Sequence, residues 1–130
     1  MSEEGVCADW LRRREGGPGM TFEDAARKAL AFREERDWVQ FHNPKDLAIS
    51  INLEASELLE VFQWSGSDLE VSGKVDNAGE ELADVVIYCI YMADALGVNL
   101  ADEISDKIDI NSRKYPVDKA SGNARKYTEL

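Results

Sequence analysis

The chain has 130 residues, with 26 Asp and Glu against 15 Lys and Arg, one histidine and a formal net charge of −11. This length suits one domain with a real core, and 44% hydrophobic against 32% charged residues is a globular composition, not a disordered one. The charge argues against a nucleic-acid polymer or an anionic membrane as partner, because a net-negative surface repels phosphate and lacks a neutralising Lys/Arg stripe.

The first nineteen residues read as a flexible N-terminal segment. Arg12-Arg13-Arg14 is not followed by an apolar stretch, so no secretory leader is expected, and Gly16-Gly17-Pro18-Gly19 reads as a lead-in to Met20. No run reaches the roughly 18 apolar residues of a membrane span. Cys7 and Cys89 are the only thiols, without CxxC spacing, which gives neither a disulfide framework nor a zinc site. Cys89, inside an apolar run, reads as a small buried hydrophobe. A cytoplasmic protein is expected.

Four helices are expected in chain order. The first covers residues 21–36, with Thr21 as N-cap and Asp24 three residues on. Asn43-Pro44 interrupts the pattern, because proline restricts its predecessor. The second helix is expected over residues 47–64, and residues 65–73, with two glycines, form a loop. The third, residues 75–96, is the longest apolar helix and stops at Gly97. Asn99 caps a fourth over residues 100–114, which Pro116 ends. The spacing predicts an all-α protein with a four-helix, bundle-like core, a helical domain over residues 20–115, and an extended polar tail over residues 116–130.

The second and third helices share a feature. Glu54 and Glu57 stand one turn apart, and so do Glu81 and Asp84. At this acidity about five such pairs arise by chance, mostly on solvated faces. These two pairs differ because they lie on or beside the apolar stripes: Glu54 with Leu47, Leu58 and Val61, and Glu81 with Val85, Tyr88 and Met92. Antiparallel packing would bring four carboxylates together, and their repulsion calls for a cation. An all-oxygen set suits Mg²⁺ or Mn²⁺ better than zinc. A salt-bridged helix pair using Lys107 or Arg113 is the alternative.

The pattern Glu54-x-x-Glu57, 23 residues, Glu81-x-x-Asp84 resembles the metal-binding signature of the MazG-like all-α nucleoside triphosphate pyrophosphohydrolases. The strings ERDWVQFHNP, EASELLEVFQW, EELADVVIYCIYMADALGV, KIDINSRKYP and KYTEL resemble the dCTP pyrophosphatase branch of that superfamily, over residues 20–130. The resemblance implies a homo-oligomer, dimer or tetramer, with its site between helices and near subunit contacts. It implies cleavage of a nucleoside triphosphate between the α- and β-phosphates, giving monophosphate and pyrophosphate with Mg²⁺ as cofactor. Glu54, Glu57, Glu81 and Asp84 would be the metal ligands and catalytic residues. Trp38, His42 and Trp64 would form the base pocket, with Tyr88, Lys107 and Asn111 lining the substrate site. A cytosine nucleotide, dCTP or a modified form, is the expected substrate.

A triphosphate enters an acidic pocket only with divalent ions between the two sets of oxygens. Lys107 would meet phosphate as a point charge, and Asn111, one turn on, would donate to phosphate or sugar. A non-enzymatic acidic helical adaptor would explain charge and helices equally well, but not Trp38 and Trp64 bracketing the first carboxylate pair. A P-loop enzyme is excluded by the lack of GxxxxGK[ST], and an EF-hand by the lack of its twelve-residue loop.

Overall fold

The computed structural model of the chain describes residues 19–130. Cys7 and nearly all of the expected N-terminal segment lie outside the described residues. The chain divides after Trp38 into two compact units.

In the first unit, helix α1 spans Phe22–Glu35. Its start is the expected capping box: the Asp24 N–H donates to Thr21 Oγ1 at 3.1 Å, and the Thr21 N–H donates to Asp24 Oδ2 at 3.4 Å. Arg27 reaches back one turn to Glu23 and Asp24. Past the helix, the Arg36 guanidinium covers the Phe32 ring at 3.6 Å, and Trp38 meets Phe32 edge-on at 5.6 Å between centroids. Arg33 is buried at 4% exposure, so it is not a surface charge.

The second unit opens with a 3-10 turn at Val39–Phe41, followed by α2 (Pro44–Phe62). A loop and a 3-10 turn at Ser72–Lys74 lead into α3 (Val75–Leu96), then α4 (Leu100–Lys114), a short α5 (Val117–Ala120) and a 3-10 turn at Tyr127–Glu129. Among the described residues there is no strand, and no helix is long and apolar enough to cross a membrane.

Two boundaries differ from expectation for identifiable reasons. Helix α2 begins at Pro44 rather than at 47, because proline is suited to the first helical position, where its missing N–H has no partner to lose. Asn43 caps it, accepting from the Asp46 N–H at 2.9 Å. The polar tail, expected to be extended, instead forms α5 and a terminal turn. Tyr127 meets Tyr115 edge-on at 5.9 Å, and the Lys114 ammonium sits 5.0 Å from the Tyr127 ring centre, tying the tail to the end of α4. Gly97 ends α3 with φ of 68°, and Asn99 caps α4, as the sequence indicates.

Helices α2 and α3 form the packed pair of this unit. They run antiparallel. His42, before α2, stacks on Tyr91 near the end of α3, whereas Val61 at the end of α2 shares a cleft with Lys74 and Asn77 at the start of α3. Leu47, Val71, Tyr91 and Ala93 are buried. Cys89, expected to be buried, is only half-buried. Helix α4 is exposed throughout residues 101–115, including Ile104 and Ile108 at more than half their surface. Of the four-helix core expected from the sequence, residues 39–130 close only the α2–α3 pair.

Candidate metal and nucleotide site

The carboxylates meet where the α2–α3 pair packs. Glu54 and Glu57 project one turn apart from α2, and Glu81 comes from the facing α3. Ligand oxygens of all three lie within 4.8 Å of one another. Glu54 and Glu81 are half-buried, and Glu57 is exposed. Asp84, one turn beyond Glu81, is exposed and not a member of this close trio, but its charge acts on both Glu54 and Glu81.

Loss of hydration is the first cause that raises the pKa of Glu54, followed by the charges of Glu57 and Asp84. Glu81 is raised in the same way, by loss of hydration and then by Glu57. Glu57 contributes to the upward shift of both neighbours. Such converging like charges call for a cation among them.

No cation of the described residues fills that role. Among the described residues, no ion pair includes any of the four acids, nor Lys107 or Arg113, the partners that a salt-bridged helix pair would need. Three convergent carboxylates without thiolate or imidazole form an oxygen-only donor set, which suits a hard divalent ion. The residues therefore fit a divalent metal, with Glu54, Glu57 and Glu81 as its nearest donors.

An open cleft of about 280 Å³ adjoins the trio, lined by Glu57, Glu60, Val61, Lys74, Asn77 and Glu81. A larger groove of about 400 Å³ along α2, lined by Ser56, Leu59, Glu60, Phe62 and Gln63, has one carboxylate and no convergent acids.

These features have counterparts in known proteins. Residues 49–130 match the MazG-like family, a span that contains both carboxylate pairs. The chain is 39% identical over 123 residues to dCTP pyrophosphatase 1 of Homo sapiens, covering 87% of this chain and 69% of that protein. The mouse dCTP pyrophosphatase 1 is 40% identical over 119 residues, with the same coverage. The chain belongs to the MazG-like family. The crystal structure of a pyrophosphatase from Archaeoglobus fulgidus superposes with a TM-score of 0.67 at 36% identity, covering 79% of this chain and 99% of that one.

The other residues of this MazG-like chain expected at the site lie on several different elements. Tyr88 lies on α3 one turn past Asp84, half-buried, and meets His42 edge-on at 6.3 Å. His42 stacks on Tyr91 at 5.1 Å, and Tyr91 meets Tyr88 edge-on at 5.9 Å. Tyr91 is not among the residues expected at the site, although its i, i+3 spacing from Tyr88 places both on one helix face.

Trp64 stands past the opposite end of α2, 91% exposed, with φ of 66°. An indole held in the left-handed region and turned to solvent is not a core residue. Helix α2 has 19 residues, about 28 Å at 1.5 Å per residue, and it separates His42 from Trp64. These two cannot meet at one base within one chain. Trp38 belongs to the first unit, against Phe32. Lys107 and Asn111 are exposed on α4, and no hydrogen bond or ion pair ties their side chains to the acids.

Proposed function

We propose that this MazG-like chain is a Mg²⁺-dependent nucleotide pyrophosphohydrolase. In this proposal it cleaves a nucleoside triphosphate between its α- and β-phosphates to the monophosphate and pyrophosphate, for sanitation of the cytoplasmic nucleotide pool. The observation that carries the proposal is the trio Glu54, Glu57 and Glu81, converging from two helices within 4.8 Å with no cation of the described residues paired to it. Its relatives named dCTP pyrophosphatase 1 support a cytosine deoxynucleotide, dCTP or a modified form, as the substrate. dUTP or a damaged nucleotide is the alternative within the same chemistry.

Glu54, Glu57 and Glu81 would hold the metal, with Asp84 on the next turn of α3 as the fourth acid. The ion, Mg²⁺ with Mn²⁺ as its substitute, would supply neutralisation of the triphosphate and polarisation of the phosphate under attack. The chain's own part is to orient the nucleotide and manage one proton. Glu54 and Glu57 are the carboxylates placed to take that proton from the attacking water, as the bond between the α-phosphorus and its bridging oxygen breaks and pyrophosphate leaves.

His42 and Tyr88, backed by the buried Tyr91, give a base an aromatic surface at one end of the helix pair. Trp38 and Trp64 complete the base pocket, and Lys107 and Asn111 meet phosphate or sugar, once copies of the chain associate. The 28 Å between His42 and Trp64 supports such a shared site, and the uncovered face of α4 supports self-association as a dimer or tetramer. Purified protein with Mg²⁺ and a panel of nucleotides tests the proposal. Monophosphate and pyrophosphate are the expected products. Release from no nucleotide, together with Mg²⁺-indifferent melting, would instead identify an acidic adaptor.

A further inference from the structure

Lys74 is the one basic side chain among the described residues lining the cleft beside the acid trio, and its local setting does not explain it. It occupies the residue before α3, at φ of −124° and ψ of 22°, and makes no side-chain cap. Ser, Thr, Asn or Asp stabilise that position by accepting a helix N–H, which a lysine cannot do. An ammonium there also faces the positive end of the helix dipole. Among the described residues no ion pair offsets this placement, although Glu57, Glu60 and Glu81 line the same cleft. A residue that breaks a local rule with no structural return marks a place where function outweighs stability.

The order of groups along the helix pair gives that function. The aromatic surface of His42 and Tyr88, backed by the buried Tyr91, lies at one end, the acids lie in the middle, and Lys74 with Asn77 lies at the other end. Along α3 the step from Asn77 to Glu81 is one turn, and that from Glu81 to Tyr88 is about 10 Å. A nucleotide lying along this axis, with its base on the aromatic surface and its phosphates over the acids, ends at Lys74.

Resting on the pyrophosphohydrolase proposal above, we propose that Lys74, assisted by the Asn77 amide, binds the β- and γ-phosphates of the substrate and stabilises the leaving pyrophosphate, so that it selects triphosphates over shorter phosphates. The acids cannot do this themselves, because carboxylates repel phosphate oxygens. Lys74 supplies charge to the oxygens that point away from the carboxylates.

The test uses Lys74→Ser and Lys74→Arg in the full chain, with Lys119→Ala as a charge control outside the cleft. The readouts are calorimetric binding of inorganic pyrophosphate in Mg²⁺, the melting temperature with and without Mg²⁺, and kcat and KM for the best nucleotide of the panel. Lys74→Ser is expected to weaken pyrophosphate binding and raise KM by about tenfold. It should melt at the same or a higher temperature, because serine can cap α3, and should keep the Mg²⁺-induced shift. Lys74→Arg is expected to retain most pyrophosphate affinity, and Lys119→Ala all of it. Unchanged pyrophosphate affinity in an active Lys74→Ser protein would overturn the proposal, and so would a lowered melting temperature with affinity intact, which marks a structural lysine. If the unsubstituted protein cleaves no nucleotide, the functional proposal fails first; pyrophosphate binding that still depends on Lys74 would then support the anion site by itself.

Discussion

Glu54→Gln removes one charge from the acid trio and changes little else, since the amide keeps the shape of the carboxylate. At 4.8 Å, two carboxylates in water-like surroundings repel by about 1 kcal/mol, less in salt. Glu54 is set against Glu57 and Asp84, and it also loses hydration, which is why its pKa is raised. In the metal-free protein the substitution should therefore leave the melting temperature unchanged or raise it by a few degrees, given about 2–8 °C per kcal/mol for domains of this size. With Mg²⁺ the order reverses. The unsubstituted protein at a hundredfold excess over its Kd gains about 2.7 kcal/mol, and Glu54→Gln loses most of this along with turnover.

The pH dependence carries a definite sign. A glutamate whose folded pKa lies above the ordinary value near 4.5 binds its proton more tightly in the folded state. Its contribution to stability is full below pH 4.5 and is lost as pH rises through the raised value. Metal competes with that proton, so the Mg²⁺-induced shift should grow over the same range in which the metal-free protein loses this contribution. Thermal melts followed by circular dichroism in EDTA and in Mg²⁺, at pH 5 and pH 7, measure both effects. A Glu54→Gln protein less stable without metal, yet still shifted by Mg²⁺, would refute the assignment of Glu54 as a metal donor.

Trp64→Gly relieves a left-handed backbone that costs a residue with a side chain about 1–2 kcal/mol; the variant should melt no lower than the parent while its KM for nucleotide rises, as steady-state kinetics would show. Ile108→Glu on the uncovered face of α4 should shift the protein to a monomer in light scattering and reduce turnover, because the proposed base pocket is shared between copies of the chain. Asn43→Ala removes the cap of α2 and should cost about 1 kcal/mol in denaturant melts, with the Mg²⁺ shift preserved.

The boundaries of α1, α3 and α4 were legible because they depend on neighbours in sequence. Thr21 with Asp24, Gly97 and Asn99 act within one turn of themselves. The two carboxylate pairs were legible too, since an acid on an apolar stripe stands out against the period of a helix. The role of Pro44 was not legible, because a proline that opens a helix and a proline that breaks one occupy similar stretches of sequence. The order of the tail was not legible either, because it depends on Tyr127 finding Tyr115.

By itself the sequence determined an all-helical chain with acids at i, i+3 on two helices, because periodicity and caps are local properties. Only the tertiary structure decided that Glu54, Glu57 and Glu81 converge while Lys107 and Arg113 leave them unpaired, since convergence depends on how α2 packs on α3. It also set His42 and Trp64 at opposite ends of one helix and brought Lys74 to the acid cleft. A net charge of −11 is a sum over the chain, whereas a metal or a phosphate responds to the few charges within several ångströms of it.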